Sequence, residues 1–299
     1  MSLVTSSSTS KPYGLARVCR LWDVPRSSVY ARRARRLRPP TPPVRRGPKT
    51  LLDDAALTEK IRGVLAASPF HGEGYRKVWA RLRFAGTRTS KARTLRLMRL
   101  NGLLAPVRAG RPHGPRAHDR TIVTGRPNEM WGTDATSTIT TSEGTVTIFF
   151  AVDHCTAECV GIHAARRGTR FEALEPLRQA VREQMGDYGR DVACGLKLRH
   201  DHGSQFMSDH YPGEVRFLGI ESSPAFIREP EGNGCAERFV RTLKEQLLWL
   251  RTFETTEELR LALQEFKDRY NREWLIARNG YLTPEQARRS LMPRPEVAA

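Results

Sequence analysis

Along the second half of the chain, the apolar positions recur first at strand spacing and then at helical spacing. Residues 145–153 have a period of two, which predicts a β-strand with one face buried. The apolar residues on that face are Val146, Ile148, Phe150 and Val152. Two more strands are predicted nearby, one that begins at Met130 and one over residues 157–163. Residues 170–185 change to helical spacing and predict a helix.

A fourth strand is predicted over residues 196–200 and a short fifth strand over residues 218–222. The order is therefore three strands, a helix, a strand, a helix, a strand and terminal helices. This order is typical of an α/β fold, an RNase H-like mixed sheet flanked by helices. Asp134 then lies on the first strand and Asp201 just beyond the fourth.

The first residues of the chain predict two short helices, over 14–22 and 26–36, with Pro25 at the start of the second. The second helix is rich in arginine, and we expect three of its side chains to contact DNA: Arg26, Arg32 and Arg33. The layout indicates a helix-turn-helix whose second helix enters a major groove. The alternative is a basic helical tail that binds nothing specific.

Three further helices are predicted over residues 51–67, 74–84 and 90–101, with apolar spacing that fits one small core. The last of them displays basic residues, of which Lys91, Arg93 and Arg96 are predicted DNA contacts. A second helix-turn-helix-like unit is the functional interpretation, and a solvated basic face is the alternative.

Proline-rich and arginine-rich stretches separate these units. The predicted division is a helix-turn-helix segment over 1–37, a linker over 38–50, a helical DNA-binding domain over 51–105, a linker over 106–128, a catalytic core over 129–290 and a tail over 291–299.

Charge supports a nucleic-acid partner. The 299 residues carry a formal net charge of +18, unevenly spread. Residues 1–128 hold 28 Lys and Arg against 6 Asp and Glu, whereas residues 129–299 hold 22 against 26. A basic arm joined to a slightly acidic domain predicts binding to double-stranded DNA. General solubility charge or RNA binding would give a similar count.

The cysteines and the hydropathy indicate a cytoplasmic protein. Five cysteines are scattered without CxxC spacing, which is typical of a reducing compartment. No run of 18 apolar residues is present, so we expect no membrane partner. A soluble, intracellular protein is the expectation.

Three carboxylates stand in contexts that suit catalysis. Asp134 ends the sequence WGTD, Asp201 lies in HDHGSQF, and Glu237 lies in GNGCAERF at the start of a long amphipathic helix. Thirty-five residues separate the second acid from the third. Acids from two neighbouring strands and a helix are oxygen ligands of the kind that Mg²⁺ prefers. Two such ions can activate a hydroxyl and stabilise a leaving oxygen in phosphoryl transfer.

The helix that carries Glu237 also presents cations. At 100° per residue, Glu237, Arg241 and Lys244 share one face, so the two cations are predicted to bind phosphate beside the metals. Arg238 is a further predicted DNA contact. Asn233 is predicted to cap this helix, with a DNA contact as the alternative. The other interpretation of these charges is an ordinary solvated helix face.

Two other groups of residues are less informative. A histidine and cysteine group can suggest zinc, namely His154, Cys155, Cys159 and His163. On the predicted hairpin these side chains do not close a tetrahedron, so we expect no zinc. Trp131 and Trp249 are interpreted as packing residues rather than platforms for DNA bases.

The acid contexts, the 35-residue gap and Lys244 seven positions after the glutamate resemble a known family. They are similar to the DDE transposases of bacterial insertion sequences, in the IS-three group, whose catalytic domain is similar to retroviral integrase. Residues 74–79 and 96–99 resemble the helix-turn-helix stretch before the core, and residues 270–272 and 283–287 resemble its closing segment. This chain has His200 where members often have Ser, and we expect little effect.

The resemblance implies that Asp134, Asp201 and Glu237 bind Mg²⁺, with Mn²⁺ as an alternative ion. It implies cleavage at transposon ends and strand transfer by the exposed 3′-hydroxyl. At least a dimer on DNA is expected, and an upstream-frame fusion partner is an open alternative. A catalytically inactive DNA-binding remnant and a nuclease that only hydrolyses are the competing functions. The presence of all three acids favours the active enzyme.

Overall fold

The computed structural model describes residues 4–37, 52–106, 122, 124–201, 203–207, 210–224 and 233–292. The predicted linker over 38–50, most of the linker over 106–128 and the end of the tail lie outside these ranges, as does His202. The chain divides into two compact units, Met1–Leu52 and Asp53–Ala299. No helix in the described ranges is long and apolar enough to cross a membrane.

The first unit contains two helices, α1 (Leu15–Leu21) and α2 (Arg26–Leu37), close to the predicted bounds. The chain turns between them at Asp23, which has a φ of 49°. In the described part of this unit only Cys19 is a buried apolar residue, and every arginine of α2 is exposed. The predicted DNA contacts of α2 are therefore on the surface.

The second unit begins with a three-helix bundle, formed by α3 (Asp54–Ala67), α4 (Tyr75–Phe84) and α5 (Lys91–Leu100). Side chains cap two of these helices, because Asp53 accepts from the Ala56 N–H and Ser90 from the Arg93 N–H. The apolar core of the bundle includes Leu57, Ile61, Val78, Leu82 and Met98.

A five-stranded sheet follows, formed by β1 (Met130–Thr140), β2 (Gly144–Asp153), β3 (Cys159–Ala165), β4 (Lys197–His200) and β5 (Glu221–Pro224). The strand order is β3-β2-β1-β4-β5. The pairs β1–β2 and β2–β3 are antiparallel, whereas β1–β4 and β4–β5 are parallel. This is the mixed RNase H-like sheet that the sequence predicts.

Helices cover both faces of the sheet. One face packs on α6 (Arg170–Met185) and α8 (His210–Phe217), which follows the short helix α7 (Ser204–Met207). The other face packs on α9 (Gly234–Leu243) and α10 (Thr256–Glu273). A π-helical segment (Lys244–Leu248) extends α9, and the last helix is α11 (Pro284–Leu291).

The fifth strand starts later than predicted. The apolar residues Leu218 and Ile220 are buried in the core just after α8, rather than paired in a strand. Gly219 turns the chain between them, with a φ of 77°. The paired segment is β5, three residues further along. The apolar positions over 218–222 predicted correctly which residues are buried, but not which residues pair in the sheet.

The closing segment holds the turn between β2 and β3. Tyr270 donates its hydroxyl to the Ala157 carbonyl (3.0 Å). The Asn271 amide bonds both backbone groups of Cys159, at 2.9 Å each. Thr283 begins α11 with a capping box. The residues of this segment are therefore explained by support of the sheet.

Candidate catalytic site

The strand register brings two of the three acids to one face of the sheet. Gly132 on β1 pairs with Arg199 on the parallel strand β4. Asp134 and Asp201 each lie two residues beyond this pair, and residues two apart on a strand point to the same face. Asp134 and Asp201 therefore lie side by side, at the ends of the sequences WGTD and RHD.

The third acid reaches the same face through α9. Phe150 is the β2 partner of Asp134, and its ring packs on Phe239 of α9 at 5.0 Å between centroids. Phe239 is buried, whereas Glu237 two positions earlier is exposed. The apolar side of α9 thus fixes the helix against the sheet and leaves Glu237 at the edge where the other acids lie.

The pKa of Asp134 reflects its burial and the charges of the neighbouring acids. The pKa of Asp134 is raised to about 6, chiefly by burial and also by the negative charges of Asp201 and Glu237. The Ala135 N–H, which donates to Asp134 Oδ1 at 2.8 Å, and the Lys244 ammonium oppose this rise. The site therefore concentrates negative charge that its own cations do not fully balance.

The donor set fits a hard divalent cation. Among the described residues no three His, Cys, Asp or Glu side chains stand close enough together to hold a metal ion as they are. Asp201 Oδ1 instead accepts the Gly203 N–H at 2.9 Å. After burial, the negative charges of Asp201 and Glu237 also raise the pKa of Asp134, so the three carboxylates repel one another. A divalent cation would remove the repulsion, and carboxylate oxygens are its preferred ligands.

The cations of α9 differ in exposure. Arg238 and Arg241 are exposed, and Lys244 is half-buried. Lys244 is also the first residue of the π-helical segment, in which the Trp249 N–H donates to the Lys244 carbonyl at 2.9 Å. Such wide turns are rare and frequently occur at functional sites. No hydrophobic period in the sequence marks this segment.

Asn233 has a different role from the predicted one. It occupies the N-cap position of α9, but its side chain makes no capping hydrogen bond. The side chain is 6% exposed and donates from Nδ2 to the Thr133 carbonyl at 3.0 Å. The amide therefore ties the start of α9 to β1 beside Asp134, and burial replaces the predicted DNA contact.

Gly132 and His154 complete this tie, and the sequence analysis missed both. A Cβ atom on Gly132 would lie 2.5 Å from Asn233 Oδ1 and 2.6 Å from His154 Nε2. His154 is fully buried, its Nδ1 bonds the Ile122 carbonyl at 2.9 Å, and burial lowers its pKa. Only a glycine fits beneath these two side chains, which is the reason for the glycine in WGTD.

The predicted DNA contacts of α5 are largely engaged inside the protein. Asp54 accepts from Arg93 at 2.9 Å and from Arg96 at 2.7 Å, and both arginines lower its pKa. The Lys91 ammonium lies 4.4 Å from the ring centroid of Trp79. The Arg93 side chain is only 15% exposed. An acid on α3 therefore pairs with two of the three predicted DNA contacts of α5, Arg93 and Arg96.

The other residues considered in the sequence have contacts of their own in the fold. His163 pairs with Glu172 at 2.7 Å, and burial raises the pKa of Cys159 to about 12. His200 is buried and bonds Ser222 Oγ at 2.9 Å. Trp131 is buried as predicted, but Trp249 is exposed, so its interpretation as a packing residue is wrong.

The strand order and the position of the acids define the class, an RNase H-like integrase core behind a helical DNA-binding module. Two family models match the chain. Residues 218–284 match an integrase core domain, and residues 52–111 match an HTH-like domain. These matches confirm the resemblance to the DDE transposases that the acid motif indicates.

Individual relatives agree. The transposase InsD for insertion element IS2A/D/F/H/I/K from Escherichia coli is 27% identical over 240 residues, which are 78% of each chain. The InsD of IS2-9 from Escherichia coli strain K12 is equally similar, over 78% of this chain and 77% of its own.

Two solved structures are similar in fold. An intasome of simian T-cell lymphotropic virus in complex with the PP2A regulatory subunit B56 gamma has 19% identity and a TM-score of 0.48, over 73% of this chain and 74% of that chain. The HTLV-2 integrase catalytic core domain in complex with magnesium has 17% identity and a TM-score of 0.41, over 55% of this chain and 98% of that chain. Since both TM-scores are below 0.5, the fold assignment rests on the strand order and the family models.

Proposed function

We propose that this protein is a DDE transposase that cuts DNA at the ends of an insertion sequence and joins the exposed 3′-hydroxyl to target DNA. The observation that carries the proposal is the proximity of Asp201 and Glu237 to Asp134, whose pKa is raised to about 6, chiefly by burial and also by the negative charges of those two acids. An isolated acid on a solvated face would not have this pKa. The reaction takes place on DNA of the nucleoid, in the cytoplasm.

Asp134, Asp201 and Glu237 are the proposed ligands of Mg²⁺, with Mn²⁺ as the alternative ion. Bound there, a pair of divalent cations supplies an activated oxygen nucleophile and a Lewis acid for the leaving oxygen. The residues of this chain do the rest. Asp134 must be deprotonated to serve as a ligand, so activity should fall when the pH is low enough to protonate it.

The cations beside the acids hold the substrate. Lys244 is close enough to Asp134 to oppose the rise of its pKa, and Arg238 and Arg241 are exposed on the same helix. These three side chains would bind the phosphates that flank the scissile bond. The arginines of α2 add charge that positions double-stranded DNA without reading its bases. Because two ends are joined in one event, at least two copies act together on DNA.

A cleavage assay tests this proposal. The substrate is a duplex that carries the terminal inverted repeats flanking the gene, with Mg²⁺ present. We expect the wild type to nick the duplex and join the 3′-end to a target duplex, and Asp134→Asn to bind without cutting. If both proteins bound the repeats and neither cut, the protein would be an inactive DNA-binding remnant. Cutting without joining would indicate a nuclease.

A further inference from the structure

The three-helix bundle packs directly on the catalytic core through α4 and the loop before it. The ring of Phe70 meets that of Trp274 edge-on at 4.8 Å, and the Lys77 ammonium lies 2.7 Å from the Trp274 ring centroid. Arg81 donates to the Glu273 carbonyl at 3.2 Å. DNA-binding helices and catalytic helices therefore share one junction.

Within this junction the side chain of Gln246 bridges the bundle to the π-helical extension of α9. Gln246 Oε1 accepts the His71 N–H at 2.8 Å, and Gln246 Nε2 donates to the His71 carbonyl at 2.9 Å. Beside the bridge lies a cavity of about 340 Å³, lined by Arg238 and Arg241 among others. The contact between α9 and the bundle is thus discontinuous, and the Gln246 amide is a discrete bridge across it.

The position of Gln246 gives the bridge a consequence for catalysis. Gln246 lies in the π-helical segment, two residues after Lys244, which begins the segment. A wide turn has poorer hydrogen-bond geometry than an α-helix and persists where tertiary contacts hold it. The two hydrogen bonds to His71 supply such a contact, so they fix the turn that carries Lys244.

We propose that Gln246 is a positioning residue that couples the three-helix bundle to the active site, by holding the π-helical turn in which Lys244 lies. A bundle seated on a DNA end would keep Lys244 beside the acids, and a displaced bundle would release it. Binding of the correct end would thereby assemble the catalytic site. This inference rests on the proposed function, because it assigns a phosphate to Lys244.

The test compares Gln246→Ala with Gln264→Ala, a control on the exposed side of α10. Both are assayed for affinity towards the terminal-repeat duplex and for single-turnover cleavage at saturating DNA with Mg²⁺. We expect Gln246→Ala to bind the duplex like the wild type but to cut about tenfold more slowly, because misplaced groups lose much of their catalytic effect. Gln264→Ala should match the wild type in both measurements.

A double variant separates positioning from simple support. If Gln246 acts through Lys244, Gln246→Ala should not slow the residual cleavage of Lys244→Ala any further. Additive losses, wild-type cleavage by Gln246→Ala, or a parallel loss of affinity, melting temperature and rate would each overturn the inference. Absence of cleavage by the wild type would overturn the proposed function and the inference with it, whereas equal cleavage by wild type and Gln246→Ala would overturn only the inference.

Discussion

At the scale of single residues, Asp134 should lower the stability of the fold at neutral pH. Its pKa rises from 3.8 to about 6 on folding, so between these values the folded state binds more protons than the unfolded chain. The free energy of unfolding should therefore fall as the pH rises through this range, by on the order of 3 kcal/mol, and stay lower above about pH 6. The free energy of unfolding of Asp134→Asn should not show this decrease.

Urea unfolding of wild type and Asp134→Asn across this pH range measures the difference. Other acids titrate in both proteins, so the quantity of interest is the gap between the two curves. Asp268→Asn, an exposed acid on α10, is the control and should follow the wild type. A constant gap between wild type and Asp134→Asn would show that Asp134 ionises normally.

The same residue predicts the effect of metal. A divalent cation bound by Asp134 and its neighbours stabilises only the folded state, by about 2.7 kcal/mol at a hundredfold excess over the dissociation constant. Mg²⁺ should therefore raise the melting temperature of the wild type and of Asp268→Asn, and chelation should reverse the gain. An equal gain in Asp134→Asn would place the metal elsewhere in the protein.

Gly132 should tolerate no side chain. The Cβ of Gly132→Ala would push on Asn233 and His154, which hold the start of α9, and so displace Glu237. We expect a loss of about 1–3 kcal/mol in unfolding free energy and a slower cleavage step at saturating DNA. Gly63→Ala, on α3 with nothing within 4 Å of the new atom, is the control. Cleavage by Gly132→Ala at the wild-type rate would show that Asn233 and His154 do not position the catalytic site.

At the scale of elements, side-chain periodicity predicted the helices and strands that bury one face in the core. Strands β1 to β4 and helix α6 lie close to their predicted ranges, because their buried faces leave a clear period. The π-helical turn and the contact of Gln246 with His71 leave no such period, since each depends on groups distant in sequence. The acids could be grouped only because the strand order was readable.

Charges on helices were the weakest basis for prediction, as α5 shows. In the sequence, Arg93 and Arg96 indicate a DNA-binding face. In the structure, both form ion pairs with Asp54. Nothing in the spacing of 39 residues between Asp54 and Arg93 indicates that pairing. Sequence patterns reveal which charges share a helix face, but tertiary structure decides which of them are already neutralised.

This pairing predicts a gain of DNA affinity when the acid is removed. Asp54→Asn should release Arg93 and Arg96 at a cost of less than about 1 kcal/mol of stability, since the ion pairs are partly exposed. Affinity for DNA should rise, and the slope of log affinity against log salt should steepen by about 0.9 for each new phosphate contact. Glu59→Gln, which removes an exposed acid of the same helix, is the control. An unchanged slope would mean that α5 does not face DNA.

At the scale of the whole molecule, charge and chemistry are divided between the two halves of the chain. The basic excess lies in residues 1–128, whereas the acids that make the candidate site lie in the slightly acidic second half. Without its own cations, a cluster of carboxylates would repel DNA. The basic excess ahead of the core and the cations of α9 offset that repulsion, so binding and cutting should respond to different substitutions.

The exposed arginines of α2 test this division. Replacing Arg26, Arg32 and Arg33 together by Ala should weaken binding to all duplexes alike and flatten the salt dependence by about 0.9 for each lost phosphate contact. Cleavage at saturating DNA should stay at the wild-type rate, because none of these residues belongs to the candidate site. The matched control replaces Arg182, Arg216 and Arg272, which are exposed on helices of the core. If affinity, salt slope and sequence preference all stayed at wild-type values, the arginines of α2 would not contact the DNA.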